Sequence, residues 1–252
     1  MVYNSLTEAP RNLKECFDWL VALKGADAKK NLAAMGAAVY GFLVDKPVGT
    51  LLIPSLEKVK RLSKEFLEQK ELRDRPYVKE VLNRFKEPMN KDFRRFRDVY
   101  GDSKSDYKNV VKARGVKPED IARNVTRTVS SCEKFLDDIK IPDQYKSAYS
   151  SEATWEASCS KNPEACAVVL VGIAPMLYVG VGCLWVESYD DYIFRGTSNR
   201  DRRLGKIMKA LGFVEPGCRA GISGSDVLQT LRNTDEDLVD ILYDFAGFWA
   251  FY

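Results

Sequence analysis

No histidine occurs among the 252 residues of this chain, so the side chain that most often acts as a catalytic acid or base is absent. Histidine is the usual base of serine and cysteine nucleophiles and a frequent ligand of catalytic zinc. Carboxylate pairs remain, but the neighbours in Asp137–Asp138 and Asp190–Asp191 point to different helix faces. We expect no catalytic, cofactor-binding or metal-binding residues and no enzyme activity, with an enzyme that uses a carboxylate or a lysine as the alternative that the missing histidine leaves open.

One glycine-rich segment, Gly221–Asp226, is similar to a loop that holds phosphate at the start of a helix. It lacks the Gly-Lys-Ser/Thr ending of such a loop, and no strand is predicted before it. Short polar residues ahead of an apolar stretch are also typical of helix capping. We interpret this segment as a loop that caps the following helix.

The six cysteines contain no Cys-x-x-Cys pair, which argues against zinc-ribbon and thioredoxin-like sites. They are Cys16, Cys132, Cys159, Cys166, Cys183 and Cys218. Cys159 and Cys166 flank the start of a predicted helix, where a loop that folds back could bring them within bonding distance. A local disulfide is expected there if the compartment is oxidising, and buried free thiols if it is reducing. Cys183, inside an apolar run, is expected to be a packed free thiol.

Charge is balanced overall, with a net of +3, but two stretches are locally basic. Residues 57–97 hold 14 Lys or Arg against eight Asp or Glu, and residues 195–209 hold six against one. Their candidate interaction patch consists of Arg94, Arg95, Arg97, Arg200, Arg202 and Arg203. Interleaved acids in the first stretch favour an ion-paired, solvent-exposed helix face over a polyanion-binding surface. No nucleic-acid partner is expected.

Apolar residues recur at spacings of three and four almost throughout, which predicts an all-α fold of about ten helices. Pro118 opens the clearest helix, which should end before Pro142, and Ser5–Glu8 has the pattern of a capping box. The last helix is expected to start at Thr234 and to continue through Trp249. Only Val48–Ile53 could form a strand.

Residues 167–186 contain no charged side chain and are long enough for a membrane span. Asn162 and Pro163 supply a cap and a first-turn proline, so a helix is expected to begin there. Pro175 and the lack of basic flanks favour a central buried helix, which would be apolar on every side. The expected fold is therefore an irregular multi-helix bundle with one central apolar helix.

The polar start of the chain shows no cleavable signal peptide. We expect one helical domain over 1–252, with 1–141 and 151–252 as two packed lobes if the chain divides at all.

Three groups of segments together resemble a known family. The first group is YNSLTEAPRNLKEC at Tyr3–Cys16 with DWL at Asp18–Leu20. The second is SSEATW at Ser150–Trp155, Cys159, PEAC at Pro163–Cys166 and GIAPMLY at Gly172–Tyr178. The third is SGSDV at Ser223–Val227 with YDFAGFWAFY at Tyr243–Tyr252. These resemble, from end to end of the chain, the N-terminal region of the alpha subunit of the variant erythrocyte surface antigen family of babesial parasites.

This resemblance implies a non-enzymatic protein at the surface of infected erythrocytes, on the ectodomain side, with a role in antigenic variation and in adhesion to host endothelium. The implied partners are a beta subunit of the same family, a host endothelial receptor and antibodies, with no small-molecule substrate. Full-length members are longer and end in a membrane span, so no anchor is assigned within these residues. An extracellular setting implies disulfides among Cys16, Cys132, Cys159, Cys166 and Cys218, with the pairs unassigned.

An alternative from a different class is an intracellular helical scaffold whose basic faces contact acidic partners or a membrane surface. It predicts six free thiols, whereas the surface-antigen hypothesis predicts disulfides.

Overall fold

The structure is a computed structural model. It describes residues 2–87, 106–193, 198–219, 223–232 and 237–252, and for residues 190–193 and 198–202 it describes the backbone alone. These residues form helices and connecting loops without a β-strand, which confirms the all-α prediction. The helices are α1 Leu13–Lys24, α2 Ala28–Leu43, α3 Pro54–Leu67, α4 Pro76–Lys86, α5 Val110–Ala113, α6 Pro118–Ile139, α7 Trp155–Ser158, α8 Pro163–Ile193, α9 Ser198–Ala210, α10 Gly224–Arg232, α11 Leu238–Ala246 and α12 Phe248–Phe251.

Helix α8 is the central element of the bundle, as its apolar sequence predicts. It runs for 31 residues with Pro175 in its interior, and α2, α3, α10 and α11 pack around it. Its portion Pro163–Tyr189 is long and apolar enough to cross a membrane, and 89% of the most apolar stretch is buried within the protein. In the described part of the chain, this helix is the core against which α2, α3, α10 and α11 bury apolar residues, while α6 packs on α1 and α2.

Glycines allow close helix contacts in the described part of the bundle. A Cβ added to Gly36 of α2 would lie 2.4 Å from the Cα of Ala122 on α6. Likewise, Gly172 of α8 faces Val59 of α3, and the Ser63 hydroxyl of α3 donates to the Gly172 carbonyl over 2.6 Å. These backbones approach closely because no side chain stands between them.

The C-terminal apolar segment is broken into two helices rather than continuing as the one that periodicity predicts. Gly247 adopts a left-handed conformation with φ of 61° and separates α11 from α12. The chain thereby turns so that all four residues of α12 are buried. The Gly49 and Leu51 amides donate to the Trp249 and Ala250 carbonyls over 2.9 and 2.7 Å.

These contacts also explain the structure of Val48–Ile53, the one segment that could have formed a strand. Its amides bond to the short C-terminal helix, so the segment is a loop that packs on α12.

Helix α1 begins later than the capping box at Ser5–Glu8 suggests. The Ser5 amide and the Glu8 carboxylate do bond, over 3.2 Å, but they close a turn that is not continued as a helix. Asn12 caps α1 instead, with its side-chain oxygen accepting from the Glu15 amide over 2.9 Å.

The segment between α6 and α7 is fastened to α1 by a buried carboxylate. Asp18, only 2% exposed, accepts from the Tyr145 hydroxyl over 2.6 Å and from the Ala148 amide over 2.8 Å. Lys14, one helical turn earlier, neutralises it at 2.7 Å. Buried side chains on both sides of this segment join one hydrophobic cluster that extends from Tyr3 to Tyr252.

Candidate functional site

A disulfide joins the end of α7 to the start of α8. The Cys159 and Cys166 sulfurs lie 2.01 Å apart, with the Cα atoms 5.8 Å apart. The Asn162 side chain caps α8 by accepting from the Ala165 amide over 3.3 Å, at the helix start that the sequence predicts. The structure thus brings together the pair that the short spacing suggests, in a loop held at both ends.

The other four cysteines are free and buried. This corrects the expectation, implied by the resemblance, of further disulfides among Cys16, Cys132 and Cys218. The Cys16 thiol lies 3.5 Å from the Met176 sulfur inside the core rather than against another cysteine. Burial raises the pKa of the Cys16 and Cys132 thiols, so both stay protonated and unreactive in the folded chain. Cys183 is a packed free thiol, as its apolar surroundings predict.

Beside the disulfide lies an open groove of about 540 Å³. One wall is the disulfide-closed loop and the first turns of α8, and the opposite wall is the first half of α3. The floor is apolar, consisting of Val59, Leu62, Val168 and Val169. The rim is mostly polar and consists of the remaining lining residues, Thr7, Ala9, Ser55, Lys58, Asn162, Glu164 and Ala165. We call this feature the α3–α8 groove.

Two charged side chains face the α3–α8 groove from opposite walls. Lys58 belongs to α3 and Glu164 to the first turn of α8, and both are exposed. Neither forms an ion pair or a side-chain hydrogen bond with any residue that the structure describes. Sequence reasoning missed this site, because the proline-led starts of both helices are visible in the sequence but their adjacency is not.

Most side chains of the basic interaction patch lie outside the part of the chain that the structure describes. Arg94, Arg95 and Arg97 lie outside the described residues, and Arg200 and Arg202 lie on α9 with side chains that are not described. Arg203 is 52% exposed and binds Glu187 of α8 over 2.8 Å. Arg75 binds the same buried carboxylate. Arg203 therefore belongs to an ion pair between α9 and α8, although its own stretch of sequence holds a single acid and gave no sign of such a partner.

The described part of the segment that is similar to a phosphate loop caps α10. The Ser223 amide donates to the Asp226 carboxylate, and the Asp226 amide donates to the Ser223 hydroxyl, each over 3.2 Å. This reciprocal pair uses the first-turn amides of α10 in a capping box. Gly221 lies outside the described residues.

A buried charge network joins α4 to α11, and nothing in the sequence spacing pointed to it. Arg84 donates two hydrogen bonds to Asp106, over 2.7 and 3.1 Å, and the Tyr243 hydroxyl donates a third to the same carboxylate over 2.7 Å. The guanidinium lies 4.4 Å from the ring centre of Phe248. Burial lowers the pKa of Arg84, but the hydrogen bonds to Asp106 more than offset this and hold it above its ordinary value. The network stabilises helix packing and exposes no reactive group, since Asp106 is fully buried.

Within the described ranges, no three Cys, Asp or Glu side chains gather closely enough to hold a metal ion. Comparisons with models of protein families, with curated proteins and with solved structures gave no match to this chain.

Proposed function

We propose that this chain is a non-enzymatic helical module at the surface of infected erythrocytes, with a role in adhesion to host endothelium and in antigenic variation. Its proposed partners are a beta subunit of the same antigen family, a host endothelial receptor and antibodies. The end-to-end resemblance described above motivates this proposal. The alternative of an intracellular scaffold explains the same helical bundle but predicts six free thiols.

The observation that carries the proposal is the disulfide between Cys159 and Cys166. Disulfides persist in oxidising, extracellular settings and are rare in reducing compartments, where thiols stay free. Both cysteines are 0% exposed, so the bond is part of the folded core rather than an exposed thiol pair. This favours the surface module over the scaffold.

The division between core and surface also suits an antigen. On α6, one face carries exposed polar residues at helical spacing, whereas the other face is buried against α1 and α2. The exposed positions are Glu119, Arg123, Thr126, Ser130, Lys134 and Asp137. Substitutions at such positions usually change stability by less than about 0.5 kcal/mol, so sequence variation is tolerated there without loss of the fold.

Surface location is tested with antibodies raised against the folded chain. We expect them to label intact infected cells, and the label to disappear after those cells are treated with trypsin. An antibody against a cytosolic protein is the control and should label only permeabilised cells. Labelling confined to permeabilised cells would contradict the proposal and favour the scaffold.

Adhesion is tested separately with the purified chain. Fluorescently labelled protein should bind cultured endothelial cells saturably, and excess unlabelled protein should compete with it. Binding that neither saturates nor competes would remove the adhesive part of the proposal while leaving surface location intact.

A further inference from the structure

The α3–α8 groove has the size and composition of a ligand site. Its volume of about 540 Å³ lies within the range of about 300–1,000 Å³ that is typical of small-ligand pockets. Such pockets combine an apolar lining with a few placed polar groups. Here Val59, Leu62, Val168 and Val169 provide the apolar surface, and the charged groups stand at the rim.

The charged side chains at the rim of the groove indicate which kind of ligand it can bind. The Lys58 ammonium and the Glu164 carboxylate face the same space from opposite walls, and neither has a partner among the described residues. Arg61 and Glu65 of α3 are also exposed and have no partner among the described residues, but the charged side chains that line the groove are Lys58 and Glu164. A ligand with one acidic and one basic group on either side of apolar atoms would complement both charges and cover the floor.

Both walls of the groove are held in place by contacts within the protein. The loop that supplies Asn162, Glu164 and Ala165 is closed by the disulfide between Cys159 and Cys166. The facing wall is α3, whose first residue is a proline and whose buried face packs on α8. A preorganised site loses little conformational freedom on binding, which raises affinity for a short ligand.

We propose that the α3–α8 groove binds a short amphipathic peptide segment, whose acidic side chain pairs with Lys58, whose basic side chain pairs with Glu164, and whose apolar residues cover Val59 and Leu62. This site goes beyond the proposed function, because it concerns the purified chain and holds wherever the protein resides.

The test uses two synthetic peptides, acetyl-Glu-Leu-Leu-Lys-amide and acetyl-Lys-Leu-Leu-Glu-amide, titrated into the purified chain and followed by NMR. We expect at least one of the two to bind saturably and to shift the methyl signals of Val168. The neutral peptide acetyl-Gln-Leu-Leu-Gln-amide and the peptide acetyl-Glu-Ser-Ser-Lys-amide, which lacks apolar residues, should each bind about tenfold more weakly.

Matched variants locate the binding. Lys58→Gln and Glu164→Gln should each weaken the peptide about threefold, since exposed ion pairs are individually weak. The controls are Lys134→Gln, at an exposed and unpaired mid-helix lysine, and Glu119→Gln, at an exposed and unpaired glutamate that also follows a first-turn proline. Both controls should bind like the parent chain. No saturable binding by either charged peptide, or an equal loss in the control variants, would overturn the proposal.

Discussion

Gly36 of α2 provides a sharp test of how the helices pack. A Cβ at this position would lie 2.4 Å from the Cα and 2.5 Å from the backbone nitrogen of Ala122 on α6. Backbone atoms cannot rotate away as a side chain can, so the Gly36→Ala variant requires α2 and α6 to move apart. Overpacking of this kind costs about 1–3 kcal/mol, and the backbone contact places Gly36 at the upper end or beyond.

Alanine also gains about 1 kcal/mol over glycine from its helix propensity, which offsets part of that cost. We expect Gly36→Ala to lower the free energy of unfolding by about 2 kcal/mol, which corresponds to a fall in Tm of about 4–8 °C for a chain of this size. Gly41, five residues further along the same helix, is the matched control, because a Cβ there meets nothing within 4 Å. Gly41→Ala should gain about 0.5–1 kcal/mol.

Urea denaturation, followed by far-UV circular dichroism, measures both variants against the parent chain. The two substitutions are chemically identical and lie on one helix. Changes of opposite sign in the free energy of unfolding would therefore isolate the effect of the contact with Ala122. Equal shifts for the two variants, or a more stable Gly36→Ala, would refute the close α2–α6 crossing.

Three further predictions concern buried charge, the disulfide and pH. Arg84→Met leaves the buried Asp106 without its guanidinium and should cost about 3–5 kcal/mol in urea denaturation, whereas Arg123→Met, at an exposed ion pair, should cost less than about 1 kcal/mol. Replacing Cys159 and Cys166 together by alanine should lower the free energy of unfolding by about 2–3 kcal/mol through loop entropy, and stability equal to the parent would contradict the bond. Burial raises the pKa of all four free thiols, so the folded chain retains their protons to a higher pH than the unfolded chain, in which thiols ionise above about pH 8.5. The stability that they contribute is present below that pH and is lost as the pH rises, so unfolding at about pH 10 should need less urea than at about pH 8, and a rise in stability would contradict their burial.

Local signals made much of the fold predictable. Pro118 marks the start of α6, and Asn162 with Pro163 marks the start of α8, because first-turn prolines and cap residues act within a few residues of themselves. The apolar run likewise identifies α8 as the buried centre of an all-α bundle. These predictions succeed because they need only the sequence of one helix and its ends.

Features that depend on distant residues were not predictable. The break at Gly247 and the loop at Gly49 depend on each other, since the amides of one segment bond to the carbonyls beyond the other. Periodicity alone favours a single terminal helix, which was wrong, and leaves Val48–Ile53 as the one segment that could form a strand. Nothing local shows that the two segments meet.

The candidate site likewise has a part that could be predicted from local sequence and a part that could not. Cys159 and Cys166 are seven residues apart, so their bond could be anticipated from spacing around a helix start. Lys58 and Glu164, by contrast, belong to helices that are far apart in sequence, and only the packing of α3 on α8 brings them to one groove. Likewise, the expectation of more disulfides fails because Cys16 lies against Met176 in the core.

The state of the cysteines in protein isolated from infected cells tests the central claim most directly. The protein is alkylated in denaturant before and after reduction, and the added labels are counted by intact mass. The account predicts four labels before reduction, from the four free cysteines, and six afterwards, when all cysteines of the chain are free. Six labels before reduction would show that the bond between Cys159 and Cys166 is absent and would place the chain in a reducing compartment, in contradiction to a surface module.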